Sequence, residues 1–357
     1  MNTPSTTQPQ HPHVAVVGAG MAGITCACTL FQAGFQVTVF DKSRGLGGRM
    51  ATRDSPFGSF DHGAQYFTAR HPAFIQAVTA RPDLCKRWSA NTLCLLDEQG
   101  RVTAADHHPE AHWVPVPGMK SLVRGWAAPL MATGSLALQT RVTGLEFTSA
   151  PSKPWHVHTE TDGNPGLVTG FDAVVLAMPA AQSRQVLSDS AQSADWADWV
   201  SQLGQVTVAP CWTLMLAFPQ AMQPGLSALG PQWNAACSTH HRIAWLARES
   251  SKPGRDVIER WTVQASSDWS AQHLHDDDAR VQAKLCQAFA EVTGIRASPA
   301  HVDSQRWLYA KTTQPLGQSH LWNASRGLGV CGDWCLGHRV EDAYLSGLAL
   351  ALAVVRA

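Results

Sequence analysis

Several features are missing from this 357-residue chain, and each absence closes off a class of function. Its nine cysteines include no Cys-x-x-Cys pair, so neither zinc-ligand spacing nor a disulfide framework is present. Neither sign of charge dominates: Lys+Arg and Asp+Glu are 27 each, so no global field recruits nucleic acid or an anionic membrane. The longest apolar stretch, Leu345 to Val355, is too short to span a bilayer. Met1 to His13 is polar and proline-rich, without the basic and apolar regions of a signal peptide. The expectations are a disordered tail over residues 1–11 and a reduced, cytoplasmic setting with no nucleic-acid or membrane partner. Tyrosine is scarce at 3 residues, whereas tryptophan is plentiful at 14. An amphipathic indole suits a core and also the wall of a cavity for a flat ligand.

The most informative stretch runs from Val14 to Asp41. A short β-branched run opens into Gly18-Ala-Gly20-Met21-Ala22-Gly23, an apolar helical segment follows, and Val37-Thr-Val-Phe40 closes on Asp41. Strand, Gly-x-Gly-x-x-Gly turn, helix and strand in that order predict a dinucleotide-binding βαβ unit. Gly18 permits the tight turn, Gly20 lets backbone approach a diphosphate, and Gly23 lets the helix pack on the strand. Free N–H groups at the helix N-terminus, with its dipole, would hold the diphosphate. Asp41, 21 residues beyond Gly20, is placed to accept hydrogen bonds from an adenosine ribose.

Beyond Asp41 and Lys42, the turn Arg44-Gly-Leu-Gly47-Gly48-Arg49 suits close approach to a phosphate. The polar run Phe60-Asp61-His62-Gly63-Ala64-Gln65-Tyr66-Phe67 has a glycine at its centre, as where a ligand lies against backbone. His107, His108 and His112 cluster near Glu110, but in a loop-like segment without helical pairing, and they read as solvated rather than metal-ligating. Helices are expected over Ala73–Thr79, Lys120–Met131 and Asp276–Gly294, the last with Ala279, Leu285, Cys286, Phe289 and Val292 as its apolar face. Leu93–Leu96, Leu136–Phe147 (with a bend), Trp155–Thr159, the apolar run Phe171–Pro179, Val206–Phe218, Ile243–Arg248, Val257–Ala265 and Arg306–Ala310 read as strands. Near the end, Cys331-Gly332-Asp333-Trp334 puts a carboxylate where a strand stops, the edge at which parallel sheets bind ligands; a helix cap is the plainer alternative.

Taken together, the N-terminal fingerprint, the Gly-Gly-Arg turn, the Asp-His-Gly-Ala-Gln-Tyr run and the Cys-Gly-Asp close resemble flavin-containing amine oxidoreductases. Within that group the chain looks most like the bacterial renalase branch, through Phe60–Phe67, Arg306-Trp307-Leu-Tyr309-Ala310 and Gly332-Asp333-Trp334-Cys335-Leu336. The resemblance implies a mixed α/β fold: a Rossmann-type FAD-binding domain, glutathione-reductase/p-hydroxybenzoate-hydroxylase-like, with an interleaved substrate domain on an antiparallel sheet. The expected division is a discontinuous FAD-binding domain of 12–70, 117–185 and 312–357, and a substrate domain of 71–116 and 186–311. By resemblance the cofactor is non-covalent FAD. Gly18, Gly20, Met21, Ala22 and Gly23 would meet its diphosphate, Asp41 and Lys42 the adenosine end, and Gly48 and Arg49 the chain beyond. Val142 would present backbone to the adenine, and Gly332 and Asp333 would lie at the ribityl or diphosphate. His62, Gly63, Ala64 and Gln65 would lie near the ring, with Arg339, Val340 and Ala343 completing the set.

The resemblance implies an oxidase that converts isomeric 2- and 6-dihydro-NAD(P) to NAD(P)+ by hydride transfer to flavin N5, with O2 reduced to hydrogen peroxide. Aromatisation of the pyridine drives this transfer, so no general base is needed and no catalytic triad is expected. Trp307, Tyr309, His62 and Gln65 are the pocket candidates, and no metal is expected. The Ser-Gly-Gly-Cys-Tyr-type attachment segment of covalent monoamine oxidases is absent, and three tyrosines are few for a paired-tyrosine amine cage. The alternatives are an amine or polyamine oxidase, for which Lys311 is the candidate water-holding lysine, and a non-catalytic FAD-binding protein. Substrate and O2 are the expected partners; the sequence carries no sign of oligomeric state.

Overall fold

The computed structural model describes residues 11–88, 93–105, 110–222, 231 and 233–357. Most of the expected tail, and His107 and His108, lie outside the described residues. The chain opens with strand β1 (His13–Val17), helix α1 (Met21–Gln32) and strand β2 (Gln36–Phe40). β1 and β2 pair in parallel, Val14 opposite Val37. Such pairing needs a crossover, and α1 supplies it. A short hairpin follows, β3 (Thr52–Ser55) with β4 (Gly58–Asp61), so the Asp61–Phe67 run leaves the end of a strand.

The first sheet is completed much later in the chain. Strand β5 (Ala173–Leu176) lies parallel to β1 on the side away from β2. Its four residues are buried and apolar, as a strand covered on both faces requires. One face of this sheet carries α1 and the C-terminal helix; Ile24, Leu30, Val39, Val175, Leu350 and Val354 share one core there. The other face carries an antiparallel meander, Thr140–Phe147, Trp155–Thr161 and Asn164–Phe171, with Trp155, Phe171 and Trp196 filling the space.

A second, seven-stranded sheet is built on β6 (Thr207–Phe218), β7 (Ile243–Arg248) and β8 (Glu259–Ala265), each antiparallel to its neighbour in the order β6–β8–β7. The long strand β9 (His301–Gln314) covers the outer edge of β6. At the opposite side Leu93–Leu96 joins through Ala235–Ser238, so residues distant in sequence share one sheet. The helix Asp278–Thr293 lies on it with Val281, Leu285, Phe289 and Val292 inward. Ala279 is exposed rather than part of that face, because the helix starts only at Asp278, after its Asp277 cap, so Ala279 lies in the first turn and Val281 is the first inward position. The expected helix Lys120–Met131 divides into Lys120–Trp126 and Ala128–Ala132, where Pro129 sits in the first turn of the second piece. Strand β10 (Leu328–Val330) then returns beside β5, and α2 (Val340–Arg356) ends the chain against α1. Among the described residues no helix is long and apolar enough to cross a membrane.

Candidate active site

The glycine turn is built as its spacing requires. Gly18 has φ 113°, outside the range of residues with a side chain, and a Cβ there would meet the Ala177 carbonyl oxygen at 2.6 Å. A Cβ on Gly23 would lie 1.8 Å from the Gly18 carbonyl oxygen, so α1 can start against the turn only with glycine there. Gly20 differs: it is extended, no side chain caps the helix from it, and a Cβ would meet nothing within 4 Å. The first turn of α1, Met21, Ala22 and Gly23, therefore offers backbone N–H groups to an open space, with no acidic side chain competing. The second glycine turn lies on the first. Gly47 N–H donates to the Ala19 carbonyl (3.0 Å), and a Cβ on Gly48 would stand 3.3 Å from the Gly20 Cα. An uncapped helix N-terminus flanked by two backbone turns fits a diphosphate.

Asp41 ties this cradle to β2. Its Oδ2 accepts the Ala19 N–H and its Oδ1 the Ser43 N–H, both at 2.7 Å, and each oxygen keeps a lone pair for a ribose hydroxyl. Lys42 is exposed beside it.

Arg49 and Asp333, 284 residues apart, form a bidentate pair: Nη1 donates to Oδ2 at 2.9 Å and Nη2 to Oδ1 at 2.5 Å. Both carboxylate oxygens of Asp333 are thus already held by Arg49. Gly332 N–H donates to Ser346 Oγ on α2 at 2.9 Å, which fixes the turn carrying Asp333. The Arg49 carbonyl accepts the Ala64 N–H at 2.8 Å, and a Cβ on Gly63 would stand 2.0 Å from that oxygen, so the 61–65 run is pressed onto the Gly-Gly-Arg turn.

His62, just past the β3–β4 hairpin, meets Trp307 of β9. Their rings stack at 5.2 Å between centroids and 16° between planes, and Trp307 Nε1 donates to the His62 carbonyl at 2.8 Å. Burial, with Arg53 nearby, pushes His62 down to about 4, so the imidazole is neutral at physiological pH; its Nδ1 is buried without a protein partner. The β6–β9 pairing slips between Cys211–Trp307 and Ala209–Lys311, a bulge that holds Leu308, Tyr309 and Ala310. Tyr309 is half-buried within it. Past the bulge a cleft of about 540 Å³ opens between Lys311, Thr312 and Thr313 of β9 and Gly337, His338, Arg339 and Asp342 at the start of α2. Lys311 and Arg339 are exposed there, Val340 is partly buried, and Ala343 is buried one turn into α2. Val142 does not join this group; it is buried in its strand among the core residues under the meander.

Gln65, a pocket candidate, has its carboxamide fully engaged within the protein. Its Nε2 donates to the Asp61 and Gly63 carbonyls, and its Oε1 accepts from Lys252 Nζ at 3.2 Å. Beneath it lies a charged group that sequence reasoning missed: Asp61, Glu249, Lys252 and Arg255, whose side chains are at most 1% exposed. Burial alone would raise the Asp61 carboxyl, but Lys252 and Arg255 hold it down to about 2, while burial pushes Glu249 up. The dense charge of Arg248-Glu-Ser-Ser-Lys252-Pro-Gly-Arg255 after a predicted strand was the available signal. Near the expected histidine cluster, Glu110 is taken by Arg70 at 2.7 Å and His112 packs on the Tyr66 ring at 4.2 Å. Among the described residues no group of three or more His, Cys, Asp or Glu is arranged to hold a metal ion.

Comparison with known proteins agrees with this geometry. The family model described as NAD(P)-binding Rossmann-like domain matches residues 16–79, and the one described as flavin containing amine oxidoreductase matches 95–355. The "Putative L-amino-acid oxidase YobN" of Bacillus subtilis is 47% identical over 73 residues, which take in 19% of this chain and only 15% of that protein. Two solved structures share the fold at low identity. The "Putative protoporphyrinogen oxidase" of Exiguobacterium has a TM-score of 0.71 at 14% identity, over 97% of this chain and 99% of that one. A double mutant of putrescine oxidase, redesigned in cofactor binding, has a TM-score of 0.66 at 12% identity, over 97% of this chain and 100% of that one. With its Rossmann turn, its mixed α/β architecture and a family match over most of its length, the chain belongs to the flavin-containing amine oxidoreductase family, as an FAD-dependent oxidoreductase.

Proposed function

We propose that this protein is an oxidase of the renalase type, oxidising isomeric 2- and 6-dihydro-NAD(P). One dihydronicotinamide, one O2 and one proton would give NAD(P)+ and hydrogen peroxide. The observation that carries this reading is the Trp307–His62 stack. It offers a flat aromatic wall beside the 62–65 run, and its one titratable ring is held neutral. A reaction driven by aromatisation of the pyridine needs a flat wall, a fixed approach and no general base.

The residue roles follow from the same reading. Gly18, Gly20, Met21, Ala22 and Gly23 would hold the FAD diphosphate, and Asp41 and Lys42 its adenosine end. Val142 would serve the adenine through backbone. Arg49 and Asp333, fixed on one another, would hold the chain between diphosphate and ring, with Gly48 and Gly332 allowing close approach. His62, Gly63, Ala64 and Gln65 would line the ring on one side, and Arg339, Val340 and Ala343 its other end, at the cleft. Bound FAD supplies a two-electron acceptor that O2 reoxidises. Residues 12–70, 117–185 and 312–357 would form the FAD-binding unit, and 71–116 and 186–311 the substrate unit.

The test is anaerobic mixing of the oxidised holoenzyme with a panel of donors. The 2- and 6-dihydro isomers are expected to bleach the flavin rapidly, 4-dihydro-NAD(P)H about a hundredfold more slowly, and amines more slowly still. A pocket that aims carbon 2 or 6 leaves carbon 4 misplaced, and a misplacement near 1 Å costs about that factor. Fast bleaching by benzylamine or a polyamine, with none by the isomers, would replace this reading with the second one. Amine oxidation is favoured by Lys311 on the cleft wall and by the oxidases among the relatives.

FAD is also expected to leave the protein on acid precipitation. Cys331 and Cys335, the thiols beside Asp333, are buried; burial raises Cys331 well above its ordinary range and Cys335 to about 12, so neither offers a thiolate for attachment. Flavin retained in the washed pellet would contradict this.

A further inference from the structure

We propose that Lys252 is a positioning residue for the ring-facing run, fixing Gln65 and Asp61 and setting a positive potential beneath the flavin. This rests on the reading above that residues 62–65 lie against the ring. The Lys252 side chain is 0% exposed. Its ammonium spends its three donors on Glu249 (2.9 Å), Asp61 (3.2 Å) and Gln65 (3.2 Å). Arg255 reaches the same Asp61 oxygen at 2.7 Å and the Pro115 carbonyl at 3.0 Å. Arg260, also fully buried, donates to the Phe57 carbonyl at 2.8 Å behind them.

Three buried cations thus lie with two buried carboxylates, while a third carboxylate, Asp256, acts on Arg260 from the surface. Burying ions costs more than an apolar packing of the same volume, so stability alone is a weak reason for this arrangement. Its placement offers a better one. The carbonyls of Asp61, His62 and Gly63 are each covered by a side-chain donor, from Gln65, Trp307 and Gln264 respectively. The donor on Asp61 is held by Lys252 through the other end of the same carboxamide. Negative carbonyl ends are therefore covered along the run, while the Lys252 ammonium, with Arg255 beside it, lies directly behind it. In a buried setting that charge favours an electron-rich ligand over its oxidised form.

The experiment is dye-equilibrated redox titration of holoenzyme, with the visible circular dichroism of the bound flavin recorded alongside. Lys252→Gln is expected to shift the reduced-to-oxidised equilibrium about tenfold toward oxidised, about 30 mV for two electrons. Lys252→Arg is expected to keep the potential but alter the flavin dichroism, because a longer, planar guanidinium aims its donors differently from an ammonium and would displace Gln65 and Asp61. A lower melting temperature in Lys252→Gln with an unchanged potential would overturn the proposal and leave Lys252 purely structural. If Lys252→Gln does not fold, wild-type dichroism in Lys252→Arg would overturn it. Neither measurement uses substrate, so wild-type enzyme inert to the isomers would refute the substrate reading alone. Normal isomer turnover with no shift in Lys252→Gln would refute only this one.

Discussion

Asp61→Ala is expected to destabilise the protein by about 3–5 kcal/mol, the usual cost of removing one partner from a buried ion pair. The Asp61 carboxylate accepts from Thr52 Oγ1 (2.7 Å), Met119 N–H (2.9 Å), Lys252 (3.2 Å) and Arg255 (2.7 Å). Alanine would leave both cations buried with Glu249 as their nearest carboxylate. Urea unfolding at neutral pH measures the loss; a change below about 1 kcal/mol, the range of exposed pairs, would mean that water reaches the cluster. The pH dependence has a definite sign. The Asp61 carboxyl sits at about 2 in the folded chain against an ordinary 3.8. Its contribution is whole above the ordinary value and is lost as pH falls from there through about 2. Wild type and variant should therefore converge in stability progressively as pH falls from about 4 toward 2.

Gly23→Ala is expected to weaken FAD binding by about tenfold to a hundredfold. The new methyl would lie 1.8 Å from the Gly18 carbonyl oxygen and 3.2 Å from the Ala177 Cβ, so the turn itself must move. Overpacking of this kind costs about 1–3 kcal/mol, and each 1.4 kcal/mol is tenfold in affinity. Gly20→Ala is the informative contrast. Its methyl meets no protein atom within 4 Å and its φ of −80° suits alanine, so the melting temperature should hold while FAD affinity falls. Titration of flavin-free protein with FAD, read by flavin fluorescence, separates the two. Full affinity in Gly20→Ala would mean that no ligand approaches that backbone.

The parts of the fold legible in the sequence were those whose cause is local. The β1–α1–β2 unit follows from a glycine pattern inside 28 residues, and Leu93–Leu96 and Ile243–Arg248 from short apolar runs with clear ends. Where neighbours decide, local pattern falls short. Arg306–Ala310 is the middle of a strand running from His301 to Gln314, whose extension is set by pairing with β6 on both sides of the bulge at 308–310. Asn164–Phe171, largely exposed, carries too few apolar residues to signal the third strand of its meander.

The site shows the same division. His62 and Trp307 were each legible as candidates, but their stacking joins residues 245 apart and depends on the β3–β4 hairpin meeting β9. Gln65 was named for its position in the run, whereas its carboxamide turns inward to a lysine that looks, in sequence, like part of a solvated loop. Burial of four charges together is a tertiary property: the run Arg248–Arg255 displays charge in the sequence but not its burial.

The pairing of Arg49 with Asp333 also bears on when this protein can acquire its cofactor during synthesis. A chain elongated to residue 300 already contains the complete glycine turn, but β10 does not yet cover the open edge of β5, and α2 does not yet cover α1. The nascent first sheet thus waits with an apolar helix face and a bare strand edge until residues 328–356 emerge. Cofactor capture is therefore expected only after residues 328–356 have been made, and until then the unfinished sheet is the part most in need of a chaperone's cover.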